Sequence, residues 1–126
     1  MICLISALAF HDLTTQVPHE VYLAVPRASE PPRIDYPPVR VFRFGTRAYA
    51  AGVETHAIDG TNVRIYSREK TLADCFKYRN KVGLDTAVEA LKRYQQQGRS
   101  DAESLLRHAQ TCRVANVMRP YLEAVL

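Results

Sequence analysis

Residues 66–80 read YSREKTLADCFKYRN and gather the side chains of this 126-residue chain best suited to chemistry. Cys75 follows Asp74, with Lys77 two places further on. A thiol beside a carboxylate and a cation can serve as a nucleophile, provided a base reaches it from elsewhere in the fold. Glu69 and Lys70 follow an apparent strand and offer the acid and lysine of a metal-dependent nuclease, with Asp59 upstream. That chemistry calls for one residue between acid and lysine, and here they are adjacent. His108 and Cys112, four apart, could hold two corners of a metal site on one helix face.

Spacing argues against all three. Leu72, Cys75, Phe76 and Arg79 recur at i, i+3, i+4 and i+7, which places the thiol on the buried stripe of an amphipathic helix. No further ligand pair accompanies His108 and Cys112, and a cysteine in an apolar helix is usually core. The five glycines are isolated and form no phosphate loop. The expectation is therefore no catalytic residue, no metal and no cofactor.

A rim of basic and aromatic side chains remains. Arg68, Lys70, Lys77, Tyr78, Arg79 and Lys81 are the residues expected to contact a partner or nucleic acid, with Lys70, Lys77 and Lys81 along one side and Tyr78 able to stack between them. The competing reading is a solvated face. Seventeen Lys and Arg against thirteen Asp and Glu give a net charge of +4 and a pI near 9.1, which permits such contacts without requiring them.

The elements that must position these residues follow from pattern. At 47% hydrophobic and 24% charged, the composition is that of an ordinary globular chain and excludes disordered or collagen-like classes. Its length suits a single domain over 1–126. MICLISALAF is too short for a bilayer span of about 20 residues and lacks a basic leader region, so no membrane partner is expected. It reads as a buried helix that starts abruptly, as if the chain were part of something longer. Three scattered cysteines point to reduced thiols in the cytoplasm.

Val21–Val25 reads as a strand, the proline-rich stretch after it as an extended connection, and VRVFRF as a second strand by its alternation. Asp59-Gly60 centres a hairpin over 53–66, because a type I′ turn needs two positive φ angles that Asp and Gly tolerate. Ser67 can cap a helix running to about Lys81. Gly83 breaks it, Gly98 closes the next, and two more helices follow, with Pro120 expected to kink or restart the last. The order predicts an α+β fold: a small, mostly antiparallel sheet packed by an N-terminal helix and a C-terminal helical bundle.

Four segments together, ICLISALAFHDLTTQVPHEVYLAVPR, VRVFRF, GVETHAIDGTNVRIYSREKTLADCFKYRNKVGLDTAVEALKRY and CRVANVMRPYLEA, carry a resemblance over nearly the whole chain. They resemble the effector region of the AbiEi family of bacterial antitoxins, from type IV toxin-antitoxin and abortive-infection systems. The resemblance implies a transcriptional regulator in two parts: a winged helix that binds operator DNA, and a C-terminal region that counteracts a nucleotidyltransferase-like toxin without a stable complex and without enzymatic activity. No winged helix is recognisable in these residues, so repression is expected only where a DNA-binding domain is attached. The alternatives are a nucleic-acid-binding module in its own right, whose affinity would fall steeply with salt, or a degenerate nuclease-like enzyme.

Overall fold

A computed structural model describes residues 1–125. Among these residues the fold is α+β, with seven helices and a small sheet. Helix α1 spans Leu4–Phe10, strand β1 Val21–Pro26, β2 Val39–Phe44, helix α2 Thr46–Ala50, β3 Val53–Ile58 and β4 Thr61–Tyr66. Five helices complete the order: α3 Arg68–Lys77, α4 Arg79–Val82, α5 Leu84–Gln97, α6 Ala102–Thr111 and α7 Ala115–Val125.

β3 and β4 pair antiparallel about Asp59 (φ 51°) and Gly60 (φ 78°), the two left-handed residues that a type I′ turn requires. β1 and β2 pair in parallel, Val21 opposite Val39 and Pro26 opposite Phe44, so the sheet is mixed rather than mostly antiparallel. Alternation reveals a strand without its direction. Direction is set here by the connection: residues 27–38 carry the chain back along the full strand length, as a parallel pair demands.

The first three residues join the two pairs, where the apolar run alone suggested helix from the start. Ile2 bridges Leu23 on one side and Ile65 on the other. The Ile2 N–H donates to the Arg64 carbonyl at 3.1 Å and the Cys3 N–H to that of Tyr22 at 3.0 Å. This gives partners to backbone groups on the facing edges of β1 and β4. Helix α1 begins only once that pairing is complete.

Helix α3 lies at the centre. Ser67 caps it, its side chain accepting the Lys70 N–H. Residues 70–76 are all buried, because α1, α5 and α6 pack around the helix, and within it only Lys77 at its C-terminal end is exposed. The charges within it therefore do not form the exposed side of an amphipathic helix. It also ends earlier than about Lys81: Tyr78 adopts φ −100°, ψ 28°, and a separate turn, α4, follows. Pro120 lies inside α7 without ending it. Its ring frees the carbonyl of Asn116, and both residues are exposed, so water can satisfy that group.

Candidate functional site

The six side chains expected to form one contact surface separate into three environments. Lys70 is 0% exposed. Its Nζ donates to both carboxylate oxygens of Asp74, at 2.9 and 2.7 Å, and sits 3.9 Å from the Tyr66 ring centroid and 4.9 Å from that of Phe44. It is an internal group, and its expected place on the contact surface is corrected accordingly. The Lys-to-Asp spacing of four reads in sequence as a surface pair; three neighbouring helices convert it into a core pair.

Arg68, Tyr78 and Arg79 are half-buried and already engaged. Arg68 donates to Gln97 Oε1 and to the Arg99 carbonyl, and lies over the Tyr94 ring. Tyr78 stacks on Phe44 and donates to the Arg43 carbonyl. Arg79 donates to the Phe76 carbonyl, closing the end of α3. Only Lys77 and Lys81 are exposed, with no ion pair among the described residues.

The thiols are likewise internal. Cys3, Cys75 and Cys112 are buried and free, and burial pushes all three up from the ordinary thiol range, Cys112 to about 12. Cys112 donates to Asp74 Oδ1 at 3.3 Å. Burial also raises the Asp74 carboxyl, against the opposing pull of Lys70. A thiolate is the reactive form, so these are structural thiols. Among the described residues, no group of three or more His, Cys, Asp or Glu side chains is placed to hold a metal ion.

Among the described residues, clefts open at the surface, and two of them are lined largely by charged side chains. One, of about 690 Å³, lies between α1, β3 and the start of α3. In it Phe10 packs against the rings of His11 and His56, His11 Nε2 meets the Tyr66 carbonyl at 2.8 Å, and His56 Nε2 meets Glu54 at 2.9 Å. His11 and His56 are 45 positions apart, and no spacing rule links them. The bridges that Ile2 makes to the sheet bring α1 beside β3 and β4. The other cleft, of about 520 Å³, gathers Arg27, Arg47, Lys77, Arg107 and Arg113. Sequence reasoning missed it apart from Lys77, because its cations come from separate parts of the chain and share no local pattern.

Burial lowers His11 and His108 below the ordinary histidine value of 6.5, and Nδ1 of His108 has no hydrogen-bond partner among the described residues. For a base held below its unfolded value, the stabilising contribution is complete above about 6.5 and is lost as pH falls through the folded value. Unfolding free energy is therefore expected to fall between about pH 7 and 5, and His108→Gln to flatten part of that slope. Because the raised Asp74 carboxyl contributes the opposite slope, the readout is the difference between parent and variant, and a pH dependence unchanged by His108→Gln would contradict the burial of that ring.

No protein-family model and no curated protein matches the chain.

Proposed function

We propose that this chain is a non-enzymatic, antitoxin-like regulatory domain of the AbiEi type. It counteracts a nucleotidyltransferase-like toxin in the cytoplasm and represses transcription only when joined to a DNA-binding domain. The identity rests on the resemblance carried by residues 66–80 and the segments around them. The observation that most supports a non-catalytic role is the burial of Lys70, Asp74 and Cys75. The reactive members of the most family-like segment serve the core and are closed to any substrate. Lys77 and Lys81 remain as the members of the expected contact set free to meet a partner.

The test is co-expression with a nucleotidyltransferase-like toxin from a neighbouring reading frame. The parent chain restores growth, and Lys77→Glu with Lys81→Glu lowers surviving colonies about tenfold while circular dichroism stays unchanged, as expected if an interaction of about 1.4 kcal/mol is lost. Failure of the parent to rescue would remove the antitoxin reading. Full rescue by the double variant would remove the two lysines from it. Turnover of labelled DNA, RNA or nucleotides by purified protein with Mg²⁺ or Mn²⁺ would replace the regulatory role with an enzymatic one.

A further inference from the structure

We propose that the cleft between α2 and the C-terminal ends of α3 and α6 binds a compact oligophosphate, held by charge and without a pocket for a base. The inference does not rest on the antitoxin reading. Five cations face the cleft: Arg27 just after β1, Arg47 in α2, Lys77 closing α3, Arg107 in α6 and Arg113 just beyond it. Among the described residues, no acidic side chain lines it. None of the five forms an ion pair among the described residues, whereas Arg68, Lys70 and Arg93 each have a carboxylate partner. Among the described residues, the one side-chain hydrogen bond any of them donates is a long one, 3.4 Å from Arg107 to Ser104 Oγ.

The distribution of charge makes the cleft exceptional. The chain has four more basic than acidic residues, and five basic residues stand here, so outside the cleft the acids outnumber the bases by one. The whole positive excess of the protein is thus concentrated at one concavity. Like charges on concave walls reinforce one another's field, and folding brings these five together against their mutual repulsion. A ligand carrying several negative charges in a small volume relieves that repulsion.

Size and lining define the ligand further. A volume of about 520 Å³ lies in the range of small-molecule sites. Duplex DNA spreads its phosphates along a helix and is matched by a stripe of cations rather than by a convergence of them. Single strands are gripped by aromatic platforms on which bases stack, and among the described residues no aromatic side chain lines this cleft. Thr46 and Gln110 add neutral donors suited to phosphate oxygens, while the Thr111 hydroxyl donates to the Arg107 carbonyl. The class that fits is an inorganic oligophosphate or the phosphate tail of a nucleoside triphosphate, with the base outside in solvent.

Thermal unfolding and calorimetric titration at low salt provide the test, using sodium tripolyphosphate, ATP, GTP, AMP and a short DNA duplex as probes. Tripolyphosphate, ATP and GTP are expected to bind alike and to raise Tm by about 4–8 °C near saturation, whereas AMP leaves it unchanged. Arg107→Gln with Arg113→Gln is expected to weaken tripolyphosphate binding at least about tenfold and to leave the Tm of the free protein equal or higher, because repulsion is relieved. Arg40→Gln, outside the cleft, leaves binding intact. Absence of binding, or binding undiminished in the double variant, overturns the site. ATP far tighter than tripolyphosphate overturns recognition by charge alone, and a duplex that binds more tightly and displaces tripolyphosphate overturns the compact ligand in favour of a nucleic-acid backbone.

Discussion

Lys70→Met is expected to destabilise the fold by about 3–5 kcal/mol, a large part of the roughly 5–15 kcal/mol that holds a domain together. The Lys70 ammonium is sealed at 0% exposure against a carboxylate that is 1% exposed, with both oxygens accepting from it and two aromatic faces beside it. Removing it leaves Asp74 with only the Cys112 thiol as donor. An isolated carboxylate in such a place takes up a proton rather than remain charged. Its folded pKa, already raised by burial, rises further, and an acid raised in the folded state loses its stabilising contribution as pH climbs from the unfolded value towards the folded one. The deficit of Lys70→Met is therefore greatest near neutrality and shrinks towards about pH 4, the unfolded carboxylate range. Lys70→Met with Asp74→Leu replaces both charges by apolar groups of similar volume and is expected to recover most of the loss. Urea unfolding of the two variants at both pH values reads all of this. A single variant within about 1 kcal/mol of the parent at neutral pH would show that the pair is solvated.

The same residue shows where the sequence stops being informative. Signals confined to a few neighbouring positions are met in the fold: Asp59-Gly60 turns the hairpin, Ser67 caps α3, and Gly83 and Gly98 stand at helix ends. Each depends on backbone conformations that the local residues dictate. Helical spacing likewise placed Leu72, Cys75 and Phe76 in the core correctly. It misplaced Lys70, because an apolar stripe implies a wet opposite face only when a helix is covered on one side. Whether α5 and α6 close over the other side is decided by residues up to 41 positions from Lys70. The parallel register of β1 with β2 and the bridging role of Ile2 are non-local in the same way. So is the cationic cleft, whose members run from Arg27 to Arg113 and meet only when α2, α3 and α6 converge.

Gly52→Ala is expected to cost about 3 kcal/mol, although a residue in the short link between α2 and β3 looks in sequence like a tolerant loop position. Gly52 has φ +72°, and a Cβ built there would lie 2.5 Å from Cβ and 2.9 Å from Cγ of Lys70, and 3.1 Å from Cε1 of His108. The nearest of these atoms is attached directly to the α3 backbone and cannot rotate away. The side chain beyond it is fixed by Asp74. Relief must then come from the link itself, whose Gly52 carbonyl accepts the Ser67 N–H at 2.7 Å just before α3 begins. Displacing it trades steric overlap for a lost hydrogen bond at the helix cap. Gly98 supplies the comparison, with nearly the same φ of +71° and nothing within 4 Å of the added atom. Gly98→Ala bears only the conformational cost of about 1 kcal/mol. The difference between the two variants, about 2 kcal/mol by thermal or urea unfolding, isolates the packing of the link against α3. Equal losses at the two positions would show that backbone conformation alone accounts for Gly52 and that the link stands clear of Lys70.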